Sequence, residues 1–165
     1  DAVLDLAREH PFARTLVNSG RLSVPATLHT STLNTPDDAD WSGPMVPGAA
    51  AADAPVTRPD GTDGWLLHEL GDGFTAIVYD ADGDATAMVL AGAAPAGVAL
   101  KVLHIVPAGA TDSALRDCDG LIAQRYDLRP GSVVLLRPDQ HVCARWRAPA
   151  AAVVRAALRR ALALP

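Results

Sequence analysis

The sequence predicts an α/β domain built on one mixed β-sheet with helices on its flanks. Three observations carry that expectation. Short apolar runs alternate with short helical patterns from residue 74 to the end. The first strand-to-strand crossover passes through a helix, which requires parallel strands. The last two strands are joined by "RPDQH", short enough for an antiparallel hairpin.

Taken in order, residues 1–18, "DAVLDLAREHPFARTLVN", have helical spacing at Leu4, Ala7 and Arg8. Pro11 is placed to start a second short helix, and Gly20 to end it. Residues 21–62 read as an extended loop. The stretch "STLNTPDDADWSGPMVPGAAAADAPVTRPDGTDG" has five prolines and no sustained periodicity. So long a loop is unusual in a compact domain, and Trp41, Met45 and Val46 are the side chains expected to pin it to a surface. "DGWLLHEL" at 63–70 reads as a short helix capped by Asp63 and ended by Gly71, with Leu66 and Leu70 on one face.

Phe74–Tyr79 is a near-continuous apolar strand, as expected of one covered on both faces. A short helix over Asp84–Ala91 follows, with Asp82 as its cap. Val98–Val106 is the second strand, stopped by Pro107. Gly120–Tyr126 is a helix begun at Asp117. Ser132–Leu136 is the third strand. Val142–Arg147 is the fourth, with Val142, Ala144 and Trp146 alternating against Cys143, Arg145 and Arg147. That alternation predicts one face in water, with Trp146 inward and both arginines outward. A final helix spans about Pro149–Leu164, with Val154, Leu158, Ala161 and Leu162 on its apolar face. The resulting order is strand, helix, strand, helix, strand, strand, helix, the core order of the thioredoxin fold.

Composition narrows the function. The chain has 165 residues, room for one domain with a proper core, and its 49% hydrophobic content is globular. No apolar run approaches the roughly 18 residues of a membrane span, so no membrane partner is expected. The net charge of −5 disfavours nucleic acid. That charge is uneven: from Arg137 onward six arginines face one acid, giving +5 and leaving −10 for the rest. Two widely separated cysteines, Cys118 and Cys143, fit a reducing cytoplasm better than a disulfide framework, with a single bridge left open. The first residue is Asp1, inside a helical pattern, so a piece of a longer chain is expected.

No motif carries an active site. A thioredoxin enzyme places C-x-x-C where the first core strand meets the first core helix, and the helix N-terminus lowers the thiol pKa there. Here that junction reads Asp80-Ala81-Asp82-Gly83-Asp84, acids suited to helix capping rather than redox. Cys143 lies inside a strand and is expected to be buried. Cys118 sits among acids in "RDCDG", which raise a thiol pKa. "GDGFTA" at 71–76 matches a relaxed dinucleotide fingerprint, but its glycines precede the strand and read as a turn. "DADGD" lacks the closing glutamate of a calcium loop, since Ala91 stands there. The five histidines, His10, His29, His68, His104 and His141, have no zinc spacing, and His141 is expected to bond to its hairpin turn.

Five stretches together resemble one family: "FARTLVNSGRLS" (12–23), "STLNTPD" (31–37), "MVPGAAAADAPV" (45–56), "GWLLHELGDGFTAIVY" (64–79) and "GSVVLLRPDQHVCARWR" (131–147). The chain is similar to the C-terminal region of flavin-dependent aromatic hydroxylases, the group that includes 3-(3-hydroxyphenyl)propionate hydroxylase and phenol hydroxylase. The resemblance implies a thioredoxin-like terminal domain without C-x-x-C, serving domain packing or subunit contacts. It implies FAD and NAD(P)H for the parent enzyme but no cofactor, metal or catalytic residue in this chain, because the family's flavin motifs are absent here. The partners it implies are the FAD-binding and substrate domains of the parent chain, with a homodimer also in view. Residues 1–20 are then the helical end of a preceding domain, 21–62 a linker loop, and 63–165 the thioredoxin-like domain. The loop is expected to pack against those other domains or a second subunit. The competing readings are a stand-alone thioredoxin-like binding or oligomerisation module and a thiol enzyme using Cys118 or Cys143.

Overall fold

A computed structural model of the chain describes residues 2–10, 25–81, 90, 92–109 and 114–164. Its elements are helix α1 (Ala2–Glu9), strands β1 (Pro55–Thr57) and β2 (Asp63–Trp65), a 3-10 helix (Leu66–Glu69), and strands β3 (Phe74–Tyr79), β4 (Leu100–Pro107) and β5 (Leu115–Asp117). They continue with α2 (Leu121–Tyr126), β6 (Ser132–Leu136), β7 (Val142–Trp146) and α3 (Ala151–Ala161). The second helix expected from Pro11 and its stop at Gly20 lie outside the described residues. So does the helix expected over Asp84–Ala91, apart from the buried Leu90.

The strands form one mixed sheet in the order β2-β1-β5-β4-β3-β6-β7. β3 and β4 pair in parallel from Phe74↔Leu100 to Tyr79↔Ile105, as their crossover requires. β6 and β7 pair antiparallel through the predicted hairpin. The α/β, thioredoxin-like arrangement read from the sequence is the one observed, with three added strands of three residues each, β1, β2 and β5. β1 arises within the stretch expected to be irregular, and β2 takes the first three residues of the expected 63–70 helix.

All six residues of β3 are buried, because both faces of the sheet are covered. One core holds Ile77, Tyr79, Ile105, Ile122, Tyr126 and Val134 beneath α2 and the loop residues Trp41, Met45 and Val46. The other holds Phe74, Ala76, Val78, Leu135, Trp146 and Leu158 beneath α3. Alternate β3 side chains feed opposite cores, the period-2 geometry of a strand. Gly73 closes the turn into β3: a Cβ there would fall 2.7 Å from the Ala99 carbonyl oxygen, where Phe74 N–H donates.

Two helix starts show how distant carboxylates replace local caps. Asp117, fully buried at the end of β5, accepts from the N–H groups of Ile122 and Ala123, as the expected start at Asp117 implies. The expected cap of the 63–70 helix is corrected. Asp63 lies in β2, and Asp53 instead accepts from Leu67 N–H through Oδ1. Leu66 is fully buried and Leu70 packs beside it on the same core. The last helix is shorter than expected, ending at Ala161. Ala163 turns into left-handed backbone (φ 53°), which leaves Leu162 exposed rather than on the buried face.

Candidate functional site

The most developed polar constellation in the described chain lies on β7, where the sequence predicts a solvated face. All five β7 residues are buried. The register slips between Leu135 and Leu136, so that Val142 pairs with Leu136 while Ala144 pairs with Leu135. Such a bulge inserts one residue and shifts the alternation. Val142 therefore joins the α2-side core, whereas Cys143, Ala144 and Trp146 join the α3-side core. Trp146 is inward, as expected, at 3% exposure. The expected outward face of Arg145 is corrected. Arg145 pairs with Val134 and is itself 3% exposed, because the segment 34–46 lies over it.

That segment is a strap. Thr35 N–H donates to the Cys143 carbonyl, Gly48 N–H to the Val142 carbonyl and Ala51 N–H to the Gln140 carbonyl. The outer edge of β7 is thereby covered, which removes an exposed pairing edge. Gly48 (φ +96°) is required where the strap crosses itself, since a Cβ there would fall 2.5 Å from the Leu28 carbonyl oxygen.

The strap is held by a clasp of two arginines around Trp41. Arg145 makes a two-pronged pair with Asp37 (Nε–Oδ1 2.9 Å, Nη2–Oδ2 2.7 Å) and donates to the Met45 carbonyl at 3.1 Å. Arg147 donates to the Asp127 carboxylate at 2.6 Å and to the carbonyls of Asp127 and Asp40. Both guanidinium groups stack on the Trp41 ring, at 4.8 and 3.6 Å from its centroid. Asp127 reaches this position because it caps α2 in left-handed backbone (φ 53°), a conformation Asp tolerates better than most residues. The Ser42 N–H bonded to its carboxylate, together with Arg147, holds Asp127 below the usual carboxylate range. The clasp therefore fixes loop to sheet, with its arginine forks turned inward onto this chain's own acceptors.

The strap also settles where Trp41 and Met45 go. Both pack on this chain's own core, in keeping with the expectation that they pin the loop to a surface.

The remaining sequence candidates are dispersed. At the end of β3, Tyr79 is buried and its hydroxyl is pushed above the usual tyrosine value by burial, with the Asp117 carboxylate adding to it. His104 Nε2 lies 2.9 Å from the Asp80 carbonyl oxygen. The acidic turn from Asp82 onward is outside the described residues. Cys143 is a buried, free thiol pushed up to about 12 by burial. Cys118 is exposed, with Sγ 3.8 Å from the Pro55 carbonyl oxygen. His141 bonds its own turn as expected: its N–H donates to Asp139 Oδ1, and Nδ1 lies 3.1 Å from the Asp139 carbonyl oxygen. Among the described residues no group of three or more His, Cys, Asp or Glu is placed to hold a metal, and no helix is long and apolar enough to cross a membrane.

Trp41, Asp37 and Asp127 are what the sequence reading missed as partners. The available signal was "ARWR": two arginines flanking an inward tryptophan, downstream of a loop carrying both an aromatic and acids.

Comparison with known proteins decides the family. The HcaD C-terminal domain model matches residues 48–161. The chain belongs to that family. No curated protein matches the sequence. Among solved structures, the chain superposes on the flavin-dependent monooxygenase PieE, solved with FAD and substrate (TM-score 0.64, 21% identity, 98% of this chain, 32% of that one). It also superposes on aklavinone-11 hydroxylase, solved with FAD and aklavinone (TM-score 0.62, 25% identity, 81% of this chain, 25% of that one). RebC-10x matches similarly (TM-score 0.62, 21% identity, 98% of this chain, 27% of that one). The chain thus spans between a quarter and a third of the length of these proteins. It is a C-terminal domain of the kind found in FAD-dependent monooxygenase-like proteins.

Proposed function

We propose that this chain is the C-terminal structural and interaction domain of an FAD-dependent, NAD(P)H-using aromatic-ring monooxygenase, and that it carries no catalytic, flavin-binding or metal-binding residue of its own. The observation that carries the reading is the family match over 48–161 on a thioredoxin-like sheet whose β3 end has no cysteine. The polar groups best positioned by the fold, Asp37, Asp127, Arg145 and Arg147, are committed to holding the strap. A redox thioredoxin needs an accessible thiolate at a helix start, and the buried Cys143 is the opposite of that.

On this reading the FAD, the nicotinamide and the aromatic substrate are bound by the preceding domains of the same cytoplasmic polypeptide. Residues 1–20 are the end of those domains, 21–62 the connection, and 63–165 the terminal module, to whose sheet the connection is strapped and adds β1. The test is turnover. The polypeptide encoded by the complete reading frame, loaded with FAD, is assayed for NADH and NADPH oxidation coupled to hydroxylation of phenolic substrates. The 165-residue chain is assayed beside it. Coupled turnover by the complete polypeptide and none by the chain is the expected result. Turnover by the chain alone would refute the structural role.

A further inference from the structure

The two ends of the strap meet. Leu28 N–H donates to the Gly48 carbonyl, and the Leu28 carbonyl accepts from Asn34 Nδ2, so Asn34 and Gly48 are pinned to one residue. The crossing is close, since a Cβ on Gly48 would fall 2.9 Å from Asn34 Nδ2. Residues 35–47 therefore leave and return at nearly one point, the geometry of an Ω-loop. A loop with pinned ends can lift without pulling on the elements that flank it.

The fastenings of 35–47 are concentrated in the clasp. Asp37, Asp40, Trp41, Ser42 and Met45 are held by three side chains, Arg145, Arg147 and Asp127. Arg145 binds both Asp37 and Met45, and Arg147 both Asp40 and Trp41, so these fastenings share donors and release together. The backbone adds the bond from Thr35 N–H to the Cys143 carbonyl. Pro36–Asp40 and Ser42–Pro44 are exposed. Closure also leaves polar groups unmatched. Among the described residues four buried side-chain polar atoms have no hydrogen-bond partner, and three of them are Asn34 Oδ1, Thr35 Oγ1 and Trp41 Nε1. Each carries a desolvation cost that opening to water relieves. The sheet has its own supports: β7 pairs with β6 from Val133↔Trp146 to Leu136↔Val142, and the α3-side core contains no residue of 35–47.

We infer that residues 35–47 are a lid, which opens from β7 as one unit hinged at Asn34 and Gly48 while the seven-stranded sheet stays folded. Opening uncovers the outer edge of β7 at Cys143 and returns the Arg145 guanidinium, 2% exposed under the closed lid, to solvent. The domain thus carries a pairing edge and a buried cation that only the open state presents.

Native-state hydrogen exchange on the 165-residue chain in a urea series tests the lid. The reporters are the Thr35 and Ser42 amides, whose acceptors are the Cys143 carbonyl and the Asp127 carboxylate. The reference is the Ile77 amide on β3, flanked by β4 and β6. After correction for intrinsic rates, Thr35 and Ser42 are expected to share one opening free energy, to exchange at least about tenfold faster than Ile77, and to respond weakly to urea. Val154→Ala, in the α3-side core, weakens the sheet equally with the lid open or closed. It should speed Ile77 about tenfold and leave Thr35 and Ser42 at their wild-type rates. Equal acceleration of all three amides in Val154→Ala would show that the strap lifts only on global unfolding, and would overturn the lid. One opening free energy and one urea dependence for all three in the wild type would overturn it without the variant. Thr35 and Ser42 opening with different free energies would overturn the single unit.

Discussion

The guanidinium of Arg147 sits 3.6 Å from the centroid of the Trp41 ring, so an arginine just beyond the last strand holds down an aromatic from the long N-terminal loop. This contact, with the Arg147–Asp127 pair beneath it, converts a proline-rich segment into part of the domain. A stacked guanidinium is not replaced by an ammonium of equal charge, because the planar fork and the stacking are both lost. Arg147→Lys is therefore expected to cost about 1–2 kcal/mol in urea denaturation, with earlier proteolysis in 34–46. Wild-type stability and cleavage in that variant would show the clasp is ornamental.

Arg145 carries the greater risk. Its side chain is 2% exposed, and Asp37 supplies its counter-charge. Removing one partner of a buried pair leaves a charge stranded, typically costing about 3–5 kcal/mol. Asp37 keeps 28% exposure, so water relieves part of the penalty, and about 2–3 kcal/mol is expected for Asp37→Ala. The double change Asp37→Ala, Arg145→Met should recover much of that loss. A double variant no better than the single would argue against a stranded charge as the cause.

Asp127 gives the clasp a pH dependence. Its carboxyl is lowered first by the Ser42 N–H and then by Arg147. A depressed folded-state pKa contributes stability that is fully present above the ordinary Asp value of about 3.9 and is lost as pH falls through the folded value. The stability difference between wild type and Asp127→Asn should thus be constant from neutral pH down to about 5 and shrink below about 4. A difference that grows on acidification would contradict the sign.

The long elements were legible because each carries its own pattern. β3 and β6 are apolar runs bounded by turns, β7 alternates, and α3 repeats Val154, Leu158 and Ala161 at helical spacing. β1, β2 and β5 were not, because three residues hold no periodicity and exist as strands only through their neighbours in the sheet. The Arg145 error has a different origin. Alternation within β7 separates two faces but cannot say whether a distant segment covers one of them, and the bulge shifted Val142 to the other side. The clasp joins residues about a hundred positions apart, a juxtaposition that only the folded chain displays.

Trp146 is the anchor of the α3-side core at 3% exposure. Trp146→Ala should destabilise by about 3–5 kcal/mol, since the ring leaves a cavity that close packing cannot fully collapse. A loss under about 1 kcal/mol would place the ring at the surface instead.

The two thiols should behave as opposites. Cys118 is exposed and should react with a disulfide reagent in the native protein at neutral pH. Cys143, buried and pushed up to about 12, should react only on unfolding. Cys118→Ser should abolish the native reaction, and neither protein should reduce insulin with dithiothreitol. Rapid native labelling in Cys118→Ser would contradict the burial of Cys143.

This domain is proposed to be part of a flavoprotein without itself holding the flavin. The most direct measurement is the visible absorption spectrum of two purified proteins after FAD loading and gel filtration, the 165-residue chain and the polypeptide of the complete reading frame. A colourless chain and a yellow complete polypeptide with FAD near equal stoichiometry are expected. Flavin co-eluting in near-equal amount with the chain alone, or a complete polypeptide that retains none, would contradict that expectation.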